Sequence, residues 1–238
     1  MNLASIRRSV GHFGVRRTLY DLAYRSLSRM VRFKVLIGIT IRRADPAFLD
    51  CDARYRCAFL EPEELRALGR DPVNEMPPGF LDAALGKGDE CYAILEGERV
   101  ASYGWYATTP TTLDLPDLRL HFSPQYVYMY KGFTHPDYRG QRLHAIGMTQ
   151  ALASYLGRGY QGLIAYVEAN NFGSLKSVYR MGYTDVGRIT LMRLAGRYVA
   201  RASRGCQAYG LRVETIVPPR VGEISVQAPA SRPGVNTP

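Results

Sequence analysis

One stretch restricts the fold more than any other: residues 126–145, which read YVYMYKGFTHPDYRGQRLHA. Its first half alternates Val127 and Met129 with aromatic residues, the pattern of a pleated surface, so it reads as a strand. Pro136 keeps His135 out of helical geometry and turns the chain. After Gly140 the period changes, and Leu143, Ile146, Ala153 and Leu156 recur at helical spacing. A strand, a turn holding Arg and Gly, and a helix start make a site for an anion. The first N–H groups of a helix lack intrahelical acceptors, and the helix dipole favours negative charge there. Arg139 and Arg142 add donors suited to phosphate oxygens, so a diphosphate is the natural guest.

The chain of 238 residues is long enough for one sizeable core with an appended element. No uninterrupted apolar stretch reaches the length of a membrane span. Four cysteines (Cys51, Cys57, Cys91, Cys206) show neither C-x-x-C nor metal-ligand spacing, and the four histidines suggest no metal site. No secretory signal is visible, so free thiols in a reduced cytoplasmic setting are expected. The net charge of +10 is uneven: residues 1–43 hold ten of the 31 Lys/Arg and one of the 21 acids. The basicity therefore belongs to the N-terminal segment.

Residues 1–32 read as one or two basic amphipathic helices, with Ile6, Val10, Phe13, Leu19, Leu22, Leu27 and Met30 as apolar positions and a break near Gly11 and Gly14. Such an element either docks on anionic lipid or an acidic partner, or packs on its own domain with its arginines solvated. Phe33–Ile41 is β-branched and reads as a first strand. Residues 46–85 are helical and irregular, cut by Pro62, Pro72, Pro77 and Pro78. Cys91–Tyr106 reads as a hairpin turning at Glu96-Gly97-Glu98. Tyr103 and Trp105 share one of its faces, lining a pocket or filling a core. A long connection over 107–124 carries a short strand near Leu118–Phe122. Gly162–Ala169 is near-continuously apolar, as a strand covered on both faces would be. Ser174–Met181 is a short helix closed by Gly182. Thr184–Ala200 contains one further strand and Gln207–Ile216 the last. From Val217 the Pro-rich composition predicts no fixed structure.

The residues His135-Pro-Asp-Tyr-Arg-Gly-Gln141 resemble the pyrophosphate-binding segment of the GNAT acyltransferases, P-x-Y-R-G-x-G-x-G/A. Asn171-Phe-Gly-Ser174 and Gly182-Tyr183 resemble the same family's N-x-x-S and G-F/Y. The resemblance covers about residues 90–195. It implies a GNAT-type α/β fold: a mixed, mostly antiparallel twisted sheet flanked by helices, here with a basic N-terminal helical extension. The expected division is 1–32 extension, 33–216 acyltransferase domain and 217–238 tail. Two family glycines are replaced by Arg142 and His144, which either narrow the phosphate cradle or supply a guanidinium and an imidazole to it.

The resemblance implies acetyl-CoA or another acyl-CoA as co-substrate, no metal, and transfer of the acyl group to a small-molecule or peptide amine by direct attack on the thioester. Expected cofactor contacts are Phe133 and Thr134 on the strand, Arg139, Gly140, Gln141, Arg142, Leu143, His144 and Ala145 at the turn, and Asn171 and Ser174. A backbone N–H near Gly132–Thr134 would hold the thioester oxygen. Tyr179 is the candidate acid, although the family's tyrosine corresponds in spacing to Val178, one position and about 100° away on a helix. Glu168 is the candidate base, with Tyr128 and Tyr130 as alternatives facing the same cleft. Asn171 either holds cofactor or caps the following helix. Cys91 and Cys206 stay open as nucleophiles. The partner readings for residues 1–32 are an acyl carrier protein, which would also serve as donor, and an anionic membrane surface. The second places a cytoplasmic protein peripherally at the inner face of the membrane. A binding module that senses acyl-CoA without turnover is the alternative from another class. Nucleic-acid binding is disfavoured because no reader motif accompanies the charge.

Overall fold

A computed structural model describes residues 9–31, 33–113, 115, 117–194 and 197–216. The segment 217–238 expected to lack fixed structure, and residues 1–8 of the basic extension, lie outside these. Eleven strands are defined among the described residues: β1 (Phe33–Ile41), β2 (Tyr55–Phe59), β3 (Glu90–Glu96), β4 (Arg99–Ala107), β5 (Thr111–Thr112), β6 (Leu118–His121), β7 (Tyr126–Thr134), β8 (Gly162–Glu168), β9 (Thr184–Leu194), β10 (Arg197–Ala202) and β11 (Arg212–Thr215). Eight form one sheet in the order β10-β9-β1-β8-β7-β4-β3-β2, and β11-β6-β5 form a second. The β7–β8 pair is parallel; the remaining described pairs are antiparallel. The fold is mixed α/β with a mostly antiparallel sheet flanked by helices, as expected.

The strand–turn–helix opens with β7, passes a 3-10 turn at Pro136–Tyr138 and enters the helix Leu143–Gly157. That helix buries Met148, Ala151, Leu152 and Tyr155 against Ile39, Val127 and Leu163 of the sheet. Burying a leucine such as Leu152 stabilises the packing by about 2 kcal/mol. The opposite face of the sheet carries a second cluster, in which Tyr128, Ile164 and Leu191 meet Leu118 and Leu120 of the small sheet.

Between β1 and β3, prolines mark starts rather than interruptions: Pro46, Pro62, Pro72 and Pro78 each lie in the first turn of a short helical piece. An N–H there would lack an acceptor in any case, and the fixed φ of proline suits that position. In the same region Glu61 and Glu64 form a reciprocal capping box. Edge strand β2 lies inside this region and had not been expected.

The C-terminal part differs from expectation in two ways. Thr184–Ala200 is a hairpin rather than one strand, β9 turning back as β10. The segment 207–216 is strand only over β11, because Ser203 caps a short helix, Arg204–Ala208, by accepting from Cys206 N. β11 then leaves the main sheet and pairs with β6. The N-terminal helix Val15–Val31 follows a break at Gly14, which adopts φ 81°. It packs on the domain: Tyr24 accepts from Val35 N at 2.7 Å, and Asn170 donates to Asp21 at 3.1 Å. Leu19, one of the apolar positions of that helix, is exposed, while Thr18 and Tyr24 face inward.

Candidate active site

A wedge at the centre of the sheet organises the site. β7 and β8 are paired only from Tyr126–Tyr128 to Gly162–Ile164. Beyond that, β7 stays on β4 as far as Thr134 and β8 stays on β1 as far as Glu168, so the two strands part. The parting begins at a bulge. Trp105 faces Lys131 but Tyr106 faces Met129, which leaves Tyr130 as the extra residue on β7. Such a bulge bends and twists its strand. His135 N donates to Ala101 O at 3.0 Å, continuing the ladder that pairs Tyr103 with Phe133 and Gly104 with Gly132. Alternation along an antiparallel ladder then turns the N–H groups of Gly132 and Thr134 away from β4 and into the wedge.

On one face the wedge meets the start of the Leu143 helix. Tyr138 is buried and donates to Glu96 Oε2 at 2.6 Å, while Leu143 packs beside it, so the turn between them is held at both ends. Within the turn Gly140 takes φ 85° and Arg142 takes φ 61°. The first helical bond runs from Ile146 N to Arg142 O at 3.1 Å. The N–H groups of Leu143, His144 and Ala145 therefore have no acceptor within the helix. Beside them lies a cavity of about 570 Å³ lined by Arg142, His144 and Ala145, by Ser177 and Arg180 of the helix Phe172–Arg180 with Met181 at its end, and by Phe48. Two guanidinium groups and no acid line it, so the donors present fit a diphosphate.

The two residues in the family's glycine positions behave differently. Arg142 keeps the left-handed backbone a glycine would adopt, at a cost of roughly 1–2 kcal/mol for an L-residue, and places its side chain on the cavity. Arg142→Gly should raise thermal stability by up to about 1 kcal/mol while weakening CoA binding. Melting curves with calorimetry would show whether the two effects part in this way. The His144 ring lies against β7, where a Cβ on Gly132 would overlap its Cε1 atom. Burial holds its imidazole below the usual pKa, in the neutral form. It can offer a phosphate one N–H, not a charge.

On the opposite face the wedge opens into a second cavity, of about 290 Å³, walled by Tyr128, Tyr130, Tyr166, Leu36, Leu113 and Leu191. Tyr128 stacks on Tyr130 and Tyr166, with ring centroids 5.8 and 6.2 Å apart. Met129 and Val167 also line this space although they pack on the Leu143-helix side, so it reaches through the wedge. Glu168 and Lys34 form an ion pair at its rim.

The expected site residues are brought together unevenly. Phe133 is buried and stacked on Tyr103, with its carbonyl accepting from Ser102 at 2.7 Å, and Thr134 follows it at the mouth of the wedge. Arg139, Gly140 and Gln141 are exposed in the turn, and Gln141 Oε1 already accepts from Arg54 at 3.0 Å and Tyr55 at 2.7 Å. Asn171 caps the Phe172 helix by accepting from Ser174 N at 3.1 Å, and both residues border the aromatic cavity. Tyr179 points elsewhere: its hydroxyl donates to Asp185 at 2.7 Å, and it lines neither cavity. Partial desolvation, then the bond to Asp185, push that phenol up to about 12. Tyr103 and Trp105 are core residues, 2% and 0% exposed. Cys91 and Cys206 are buried, and burial pushes both thiols up, which disfavours a thiolate nucleophile. Sequence reasoning missed Ser177 and Arg180, although their three-residue spacing puts both on one face of a helix.

The sheet thus splits beside a helix N-terminus, with a cationic chamber on one face and an aromatic one on the other. The GNAT acetyltransferase family model matches residues 54–183, and the chain belongs to that family. Among solved structures, the chain is similar to a protein from Novosphingobium aromaticivorans described as of the GNAT family (17% identity, 68% of this chain and 65% of that one, TM-score 0.47). It is also similar to a GCN5-related N-acetyltransferase-like protein from Streptococcus suis (17%, 77% and 68%, TM-score 0.46). A third is an acetyltransferase of the GNAT family from Colwellia psychrerythraea (16%, 72% and 61%, TM-score 0.48). The chain thus spans 61–68% of those three chains, and at this level of similarity the family rests on the match over 54–183. No curated protein matches the chain.

Proposed function

We propose that the protein moves an acetyl or other acyl group from acyl-CoA to an amine by direct attack on the thioester. The observation that supports this most is the wedge between β7 and β8, reached from a cationic cavity on one face and an aromatic cavity on the other. The diphosphate rests on the N–H groups of residues 143–145 with Arg142, Arg139 and Arg180 around it. The pantetheine arm enters the wedge along Phe133 and Thr134. The thioester oxygen meets the N–H groups of Gly132 and Thr134, whose dipoles are fixed before charge develops there. The amine approaches from the aromatic side, with Glu168 and its partner Lys34 orienting its polar end. The thiolate, with a thiol pKa of about 8.5, leaves without an obligatory acid, so Tyr179 serves as a tie to Asp185 instead.

The acceptor in this reading is a small-molecule or peptide amine, and the setting is cytoplasmic. Among the described residues no helix is long and apolar enough to cross a membrane. The N-terminal helix exposes Val15 and Leu19, 58% and 59% accessible, on a basic segment, which suits docking on an anionic surface. Sedimentation with phosphatidylserine vesicles should retain the full chain, and unchanged retention of a Val15→Asp, Leu19→Asp double variant would discard that role.

Incubation with acetyl-CoA and mixed amines tests the main reading. Release of free thiol supports transfer, whereas thermal stabilisation by acetyl-CoA without thiol identifies the sensing module. Turnover only with acyl carrier protein would move the donor assignment.

A further inference from the structure

Tyr130, the extra residue of the β7 bulge, belongs to two cavities at once. It walls the aromatic chamber, and it walls a separate cavity of about 260 Å³ that Lys87, Asp89, Thr111 and Arg119 also line. Its hydroxyl donates to Asp89 Oδ2 at 2.8 Å. The Asp89 side chain is 1% exposed and pairs with Lys87 at 2.9 Å, and its Oδ1 has no partner. Lys87 in turn donates to Thr111 at 2.7 Å. A purely structural carboxylate at this depth would be expected to use both oxygens.

We propose that Tyr130 and Asp89 form a proton relay that carries the acceptor's proton from the aromatic chamber to the outer cavity. The proposal rests on the acyl-transfer reading. As the acceptor's N–H bond breaks, its proton joins the Tyr130 oxygen. The Tyr130 O–H bond breaks in the same motion, and that proton joins Asp89, whose charge falls from −1 to 0. The nitrogen's electron pair makes the new C–N bond, and the C–S pair leaves on sulfur. Asp89 afterwards gives the proton to water in the outer cavity, where Lys87 favours the return of its charge. Tyr130 is the group that touches the acceptor; Asp89 acts through it.

The surroundings suit this division. The groups facing Asp89 are Lys87 from the end of the Pro78–Lys87 helix and Tyr130 from β7, with Arg119 of β6 lining the same cavity; the buried Cys91 of β3 lies near Tyr130. Burial, outweighing Lys87 and Tyr130, holds the Asp89 carboxyl above the usual carboxylate range. That makes it a better proton acceptor than a solvated one. Burial and then Asp89 push the Tyr130 phenol far up, so it passes a proton on without ionising first. The sign follows: the relay runs while Asp89 is ionised, so turnover should rise with pH through the raised carboxyl pKa.

The test uses the full chain as wild type, Asp89→Asn, Asp89→Glu, Tyr130→Phe and the Asn/Phe double variant. Acetyl-CoA binding is followed by calorimetry and thiol release with a polyamine, an amino sugar, an aromatic amine and a lysine peptide. Asp89→Asn and Tyr130→Phe should each lower kcat by about a hundredfold with acetyl-CoA affinity kept. The double variant should be no slower than either, Asp89→Glu should restore part of the rate, and the rising pH limb should vanish in Asp89→Asn. Lowered thermal stability with kcat and the pH limb intact would make the cluster structural and overturn the relay. Absence of acetyl-CoA binding to the wild type would instead remove the acyl-transfer reading, and the relay with it.

Discussion

Gly132→Ala is expected to lower kcat/KM for acetyl-CoA by about a hundredfold in a protein that still folds. The methyl group would overlap Cε1 of His144 and come within 3.1 Å of both its Nε2 and Met129 Cε. Each of these atoms belongs to a wall of the wedge. The helix start cannot retreat freely, because Leu143 is buried beside Tyr55 and Tyr138. Relief must come from moving the ring or the strand, at about 1–3 kcal/mol for an overpacked contact. Either movement shifts Gly132 N, one of the two N–H groups proposed for the thioester oxygen. The rescue is specific: Gly132→Ala with His144→Ala should regain much of the loss, because the second change makes the space the first one takes. Additive losses across that double-mutant cycle would show that the two residues do not share the wedge.

Gly140→Asp should weaken acetyl-CoA binding by roughly a hundredfold through charge, with little loss of fold. A Cβ at Gly140 meets no heavy atom within 4 Å, so packing does not oppose the substitution. The backbone does, since φ is 85° there, and the strain is about 1 kcal/mol, less for Asp than for β-branched residues. The larger effect is electrostatic. A carboxylate about 5 Å from a diphosphate, at the effective dielectric of a protein surface, costs about 3 kcal/mol per charge before screening. Gly140→Ala carries the strain without the charge and is the control. Calorimetry at low and high salt separates the two, and equal affinity for Ala and Asp variants would move the diphosphate away from this turn.

How much of this was legible in the sequence varied with distance along the chain. The anion turn could be read because each of its parts is local: Pro136 acts on His135, and the helix period starts at Leu143. The cap at Asn171 was half legible, since the three-residue gap to Ser174 suits capping and cofactor contact equally. Tyr130 and Asp89 were beyond reach as a pair, because 41 residues separate them. β2 was hidden by the prolines around it, whereas β11 was legible as a strand and only its pairing in a second sheet was not. The Tyr179 position shows the same limit from the other side. Spacing already put it one residue off the family pattern, but only Asp185 across the turn shows what its hydroxyl does.

The sequence by itself determined the family, the order of most elements and the turn where a helix begins with unsatisfied N–H groups. Those properties depend on side-chain periods and on neighbours within four residues, so they survive without knowledge of the partner strands. The tertiary structure alone decided where β7 and β8 part, which chamber lies on each face and which side chains border both. That outcome depends on where one ladder stops and another keeps its hold, a competition between hydrogen bonds formed by strands far apart in the chain.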